Sequence, residues 1–298
     1  MSALDYLPVT VIGGYLGAGK TTLVNYLLRN ANGLRLAVLV NEFGELAIDR
    51  DLIEAEEEGL ISISGGCVCC SFGGDLIAAL RNLSQMQPRP QHILIESSGV
   101  AKPSAIFDSV ALLDGFSADG VVVLSDAETV QENANDKYMG DTVLAQITQA
   151  DILLLNKCDL VDPQDIAETA NWLVHQNPKA RLVKTKHSVA APEVVLESFL
   201  GRQKITEPHH HLDQMTSMNL IPTTSLDAMN LAKTLAEGEF GLVRAKGFVT
   251  DISGDKMLIQ IVGRRWAIKA ADPKLKDGLV CLGMKEQMRP SQLRALIA

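Results

Sequence analysis

Residues Gly14 to Thr21 read GYLGAGKT, and no other stretch restricts the fold as tightly. The pattern is G-x-x-x-x-G-K-[ST] with every fixed position filled. Leu7 to Ile12 ahead of it (LPVTVI) has the character of a short apolar strand, and Thr22 to Arg29 behind it (TLVNYLLR) that of an apolar helix. Phosphate binding demands that order. Glycines let successive backbone N–H groups curve around phosphate oxygens, Lys20 reaches the β- and γ-oxygens, and the Thr21 hydroxyl is placed to hold Mg²⁺. The new helix adds its positive dipole end. Gly14, Gly17, Ala18, Gly19, Lys20, Thr21 and Thr22 are therefore candidate phosphate-binding residues. A plain glycine turn is the alternative, and the full match with both flanks argues against it.

The next two hundred residues alternate strand and helix patterns. Leu34 to Val40 is a continuous apolar strand, as in a parallel sheet covered on both faces. Leu60 to Ser64, His92 to Glu96 (HILIE), Gly120 to Ser125, Asp151 to Leu155 (DILLL) and Ala180 to Lys184 read as further strands. Asp75 to Met86, Pro103 to Leu113, Asp141 to Ala150, Ile166 to Gln176 and Ala191 to Leu200 read as helices, with Gln146 and Gln149 expected to face solvent. This order predicts an α/β fold with a mainly parallel sheet, helices on both faces, and ligands at the carboxyl ends of the strands.

Gly201 to Ser217 breaks the rhythm with Pro208, His209, His210 and His211, and reads as a linker. Beyond it the pattern restarts: a helix at Leu226 to Leu235, then strands at Leu242 to Thr250, Met257 to Val262, Arg265 to Ala270 and Leu279 to Leu282, and a last helix from Ser291. This predicts a smaller α+β domain with an antiparallel sheet. The 298 residues suit two domains at ~100–200 residues each. A net charge of −9 disfavours nonspecific nucleic-acid binding. No apolar run reaches the ~18 residues of a membrane span, and Met1 to Leu7 lacks a basic signal-peptide start. The expected location is the cytoplasm, with no membrane partner.

Asn156-Lys157-Cys158-Asp159 follows the strand DILLL directly. In an N-K-x-D element the Asp carboxylate accepts from N1–H and the N2 amino group of guanine. Adenine lacks that donor pair and would leave the carboxylate poorly matched, at a cost on the order of 1–3 kcal/mol or more. Asn156 would tie this loop to the phosphate loop, and the Lys157 stem would cover the base. A solvated turn is the plainer reading of four residues. Glu96 closes the strand HILIE, where a carboxylate can hold Mg²⁺ or orient an attacking water. Gly99 is placed to offer its N–H to a γ-phosphate. Asp49 is a further candidate for the Mg²⁺ shell or for water orientation.

Cys67, Cys69 and Cys70 make three of the five cysteines fall within four positions, which is not a disulfide framework. Thiolates suit Zn²⁺, and also Co²⁺ or Cu⁺. Cys67 and Cys69 project the same way from an extended segment, and Gly65-Gly66 gives Cys70 room to join them. The fourth position would be open to water, histidine or a carboxylate, with Glu42 and Glu45 as candidates. Buried or redox-active thiols are the alternative. The histidine triplet reads equally as a weak metal relay or a solvated linker. His92, His175 and His187 are isolated in sequence and get no ligand role. Cys158 and Cys281 read as packing residues.

GGYLGAGKTTLVN, VNEFGE with a following ID, GGCVCCS, ILIESSG, LLLNKCDLV and VRAKGFV together resemble the CobW-like GTPases, relatives of HypB and UreG. The resemblance spans Val11 to Val249. It implies a P-loop GTPase domain (residues 1–203), a linker (204–217) and a CobW-type C-terminal domain (218–298). It implies GTP or GDP with Mg²⁺ at Gly14 to Thr22, base contacts from Asn156, Lys157 and Asp159, and a transition metal at Cys67, Cys69 and Cys70. Where the family usually has a small Ser-Ala type loop, this chain has Val183-Lys184-Thr185-Lys186-His187.

The expected activity is a GTP-driven metallochaperone that delivers Zn²⁺ or Co²⁺ to a client metalloprotein or cofactor-assembly enzyme. It would act as a monomer or a nucleotide-dependent homodimer. Turnover alone is expected to be slow, since no arginine finger is evident. The rivals are a metal-sensing GTPase that signals without delivering metal, and an ATP-dependent small-molecule kinase, which Asp159 argues against.

Overall fold

The computed structural model describes residues 6–31, 33–40, 62–64, 74–196 and 214–298. The chain divides into two compact units, Leu7–Pro192 and Glu193–Ala298, the second including Met1–Tyr6.

The first unit is a seven-stranded sheet in the order β3-β2-β4-β1-β5-β6-β7, with every pairing parallel. Its strands are β1 (Leu7–Gly14), β2 (Leu36–Val40), β3 (Ser62–Ser64), β4 (His92–Glu96), β5 (Phe116–Asp126), β6 (Ile152–Asn156) and β7 (Arg181–Lys184). The helices are α1 (Lys20–Arg29), α2 (Gly74–Gln85), α3 (Pro103–Ala111), α4 (Val130–Ala134), α5 (Gly140–Thr148) and α6 (Pro163–Gln176); the short α7 (Pro192–Val195) follows, all but Pro192 of it belonging to the second unit. β1, the strand feeding the phosphate loop, lies inside the sheet between β4 and β5. The chain winds away from β1 in both directions, and that switch point is where ligand crevices open in such sheets.

The strands are apolar on both faces because helices cover both. Val9, Val11, Ile93 and Ile95 pack with Leu80, Leu83, Ile106 and Val110 of α2 and α3. Val121, Val123, Leu153 and Leu155 pack with Val143, Ile147 and Leu173 of α5 and α6. At ~1.5–3 kcal/mol per fully buried aliphatic side chain, these two clusters dominate the stability of the unit.

A polar cluster is built into this core at His92, Thr10 and Asp119. His92 at the start of β4 is fully buried, its Nε2 lying 2.8 Å from Thr10 Oγ1, while Thr10 Oγ1 donates to Asp119 Oδ2 at 2.8 Å. His92, isolated in sequence, is thus a satisfied core histidine bridging β1, β4 and β5. It sits at the sheet's amino-terminal edge, away from the phosphate loop.

The second unit is an antiparallel sheet in the order β11-β10-β9-β12-β8. Its strands are β8 (Met215–Leu220), β9 (Leu242–Thr250), β10 (Lys256–Val262), β11 (Arg265–Ala270) and β12 (Gly278–Met284). Helices α8 (Ala228–Glu237) and α9 (Pro290–Ala295) pack Leu231, Leu235 and Leu293 with Ala245, Ile259, Ile261, Leu279 and Cys281. β8 begins at Met215, inside the stretch read as linker through Ser217. As an edge strand with Thr216, Ser217 and Asn219 it lacks the apolar run that betrays a central strand. Arg244 of β9 is fully buried, donating from Nε to Val194 O at 2.6 Å and from an Nη to Val195 O at 3.0 Å. It satisfies carbonyls at the end of α7, which helical hydrogen bonding leaves over.

Candidate functional site

The phosphate loop leaves β1 through backbone conformations that side chains resist. Gly14, Gly17 and Gly19 have φ of 137°, 74° and 101°. A Cβ at Gly14 would stand 2.5 Å from Leu124 O of β5. Gly19 is the N-cap of α1 with no side-chain cap, so the first helical N–H groups remain directed at the loop. Lys20 is buried, and its Nζ donates to Tyr15 O at 3.2 Å, so the ammonium folds back over the loop.

Thr21 Oγ1 donates to Glu96 Oε1 at 2.7 Å, and Glu96 is buried at the carboxyl end of β4. A hydroxyl and a carboxylate beside a phosphate loop are hard oxygen donors, the kind Mg²⁺ takes. Beyond Glu96 the chain crosses the phosphate loop. Ser97 N–H extends the β1 pairing by donating to Ile12 O at 2.9 Å. At Gly99 a Cβ would come within 2.5 Å of Leu16 Cδ2 and 3.0 Å of Leu16 N, so any side chain there would have to push Leu16 aside.

Asn156, at the end of β6, is almost fully buried and uses its whole amide. Nδ2 donates to Ala18 O at 2.9 Å and to Ser188 Oγ at 2.8 Å, and Oδ1 accepts from Ser188 N at 2.8 Å and Thr185 Oγ1 at 3.2 Å. One side chain therefore ties the phosphate loop to the N-K-x-D turn and to the loop after β7. Lys157 follows with φ 61° and pairs with Asp126 Oδ2 at 2.6 Å. Cys158 is buried against Leu155 O at 3.2 Å, and burial pushes its thiol pKa up, consistent with packing. Asp159 remains partly exposed, with His187 Nε2 at 3.6 Å from its Oδ2.

Three residues of this site escaped the sequence reading. Ser188 lies one residue past the stretch ending at His187, and it, not that stretch alone, completes the loop after β7. Asp126 ends β5 as Glu96 ends β4 and Asn156 ends β6; a polar residue closing a buried strand was the available signal. Gln146 does not face solvent. It is 1% exposed on α5, and its Nε2 donates to Gly99 O at 3.0 Å and Ala101 O at 2.9 Å. It follows Val143 by three positions and precedes Ile147, so it shares their buried face. Asp49, Glu42, Glu45, Cys67, Cys69, Cys70 and His209 to His211 lie outside the described residues. Among the described residues no group of three His, Cys, Asp or Glu side chains is placed to hold a metal, and no helix is long and apolar enough to cross a membrane.

Residues 8–184 match the family model described as CobW/HypB/UreG, nucleotide-binding domain. The chain is 29% identical over 307 residues to "Zinc chaperone CobW" of Sinorhizobium sp, covering 87% of this chain and 86% of the relative. It is 34% identical over 238 residues to "Zinc-regulated GTPase metalloprotein activator 1" of Schizosaccharomyces pombe, covering 76% of this chain and only 57% of that longer relative. The solved structure of Zn(II)-bound YjiA GTPase from E. coli aligns over 98% of both chains with a TM-score of 0.51 at 23% identity, a likeness of fold.

Proposed function

We propose, from the premise that this chain belongs to the CobW/HypB/UreG family, that it binds and hydrolyses GTP and couples that cycle to handing a transition metal to a client metalloprotein. The observation that carries the nucleotide half is Asn156, which joins the phosphate loop and the loop after β7 and leaves Asp159 at the rim to read guanine. Lys20 would neutralise β- and γ-oxygens, and the N–H groups of Gly17, Gly19 and Thr21 would cradle them. Thr21 and Glu96 would hold Mg²⁺, whose chemistry is to neutralise phosphate charge as the bond breaks. Glu96 or Asp49 would orient the attacking water.

The metal half rests on the three-cysteine loop and on the relatives' names, which read "zinc chaperone" and "zinc-regulated GTPase metalloprotein activator". Cys67, Cys69 and Cys70, with Glu42 as fourth donor, form the proposed cargo site, and zinc is favoured over cobalt. GTP and metal would each favour one arrangement of the surrounding loops, and that coupling must be reciprocal. The words "zinc-regulated" in the second name favour one further reading, a sensor that signals through a partner without delivering metal.

The test is transfer. Zinc-loaded protein is mixed with an apo-metalloenzyme under GTP, GDP or no nucleotide, and enzyme activation is followed. Activation that requires GTP, and is lost in Cys67→Ser, supports delivery. Activation indifferent to nucleotide sinks it. No transfer, together with zinc-dependent GTP affinity, selects the sensor.

A further inference from the structure

Gln146 is a buried polar residue whose two amide protons both leave its own helix. They reach Gly99 O and Ala101 O, 3.0 and 2.9 Å away, on the turn that follows Glu96 and crosses the phosphate loop. The turn's own ties are short-range. Ala101 N donates to Ser98 O at 3.0 Å, and Val100 N to Ser98 Oγ at 3.5 Å. Gln149, the C-cap of α5, accepts from Ser104 N at 3.4 Å, just beyond the turn. The same C-terminal end of α5 is fixed in turn by Asn177, whose Nδ2 donates to Ile147 O at 2.8 Å and Ala150 O at 2.9 Å. The turn proposed to meet a terminal phosphate is therefore hung on the C-terminal end of α5, by Gln146 directly and by Gln149 just beyond the turn.

The geometry points to Gln146 as a positioning residue for triphosphate recognition: by gripping the two carbonyls around the Gly99 turn it sets where Gly99 presents its N–H beside Leu16. This rests on the proposed reading of Gly99 as a γ-phosphate contact. A side chain serving packing alone would be better replaced by an apolar one, since an amide in a core costs desolvation that only its hydrogen bonds offset. Gln146 acts through the turn, so its effect belongs to ligands that carry a γ-phosphate, and a diphosphate should not register its loss.

The experiment compares affinities of GDP and a non-hydrolysable GTP analogue, in Mg²⁺, for the full chain and two variants. Gln146→Met keeps length and volume without donors. Gln146→Asn keeps the amide one methylene too short. Both should lose roughly tenfold in analogue affinity, the scale of two ordinary hydrogen bonds, with GDP affinity unchanged. Equal losses for GDP and analogue, or none, overturn the positioning role. Should neither variant fold, amide exchange in the wild type decides: protection of residues 98–102 must rise with the analogue and not with GDP, and equal protection by both overturns the inference. Failure of the underlying reading looks different: there the Gly99→Ala protein, whose added Cβ crowds Leu16, prefers the analogue over GDP as strongly as the wild type does.

Discussion

The strands β4, β5 and β6 end on Glu96, Asp126 and Asn156, and each of these side chains pairs with a group from another part of the chain. In the antiparallel unit the polar groups close on neighbours. Lys256 Nζ donates to Asp277 Oδ1 at 2.6 Å and to Thr250 Oγ1 at 2.7 Å, and Thr250 Oγ1 donates to Asp277 Oδ2 at 2.8 Å. Asp227 and Asp251 cap the start of α8 through Asn230 N and Ala228 N. The separations differ in scale: 138 residues between Asn156 and Ala18, against 6 between Lys256 and Thr250, 27 between Thr250 and Asp277 and 50 between Arg244 and Val194. Backbone strain follows the same division. Among the described residues Lys157, His187 and Ser188 are the non-glycines with positive φ, and all three border the base loop. Such conformations cost of order 1–3 kcal/mol each and persist where surrounding contacts impose them, commonly at functional sites. Among the described residues of the second unit, the positive-φ positions are the glycines Gly241, Gly254 and Gly263. The longest of these polar ties and the strained non-glycine backbone thus mark the edge proposed to work.

If that division is right, substitutions should separate into two kinds. The largest effect is expected for Lys20→Ala: GTP hydrolysis, followed by phosphate release, should fall by about a thousandfold or more, as loss of a preorganised charge on the transferring phosphate implies. Hydrogen exchange of β9 and β10 should not change. Next, Asp159→Ala should weaken GTP binding about a hundredfold in a calorimetric titration, the scale of lost charged hydrogen bonds, and erase preference over ATP while leaving the melting temperature nearly intact. A retained guanine preference would move base reading elsewhere. Lys256→Met is the converse. It should destabilise the antiparallel unit by about 2 kcal/mol, because Asp277 is left partly buried without its cation, and leave nucleotide affinity untouched. The smallest effect belongs to Asp251. Hydrogen bonds from Ala228 N and from Ser253 hold its carboxyl pKa below 3.8. That contribution to stability is complete above 3.8 and is lost as pH falls through the lower folded-state value. Asp251→Asn should flatten this limb of an acid denaturation curve by slightly lowering stability at pH values above 3.8, pH 7 included, and should leave nucleotide affinity unchanged.

Much of this architecture was legible in the chain. His92–Glu96, Leu242–Thr250 and Arg265–Ala270 announce themselves by apolar runs or alternation between turn residues. α4 did not, because five residues are too few for helical periodicity to speak. β8 did not, because an edge strand needs no apolar run. Within the site, the sequence names the strand ends and glycine loops that gather there. Gln146 shows why the remainder was hidden: residue type argued for solvent, whereas position on the Val143–Ile147 face argued for burial, and a waiting pair of carbonyls decided between them. Ser188 was hidden for a related reason. Its role depends on where the loop after β7 turns back, which no local pattern specifies.

The missing Cβ of Gly19 lets two distant stretches of chain meet without slack. Any side chain there would overlap both Ser188 Oγ and Asn156 Nδ2, so the loop for phosphate and the loop after β7 share one gap the width of a methyl group. A side chain at position 19 would be strained by its φ of 101° and would also push on both of those groups, so a bulkier phosphate loop disturbs the far loop in the same stroke.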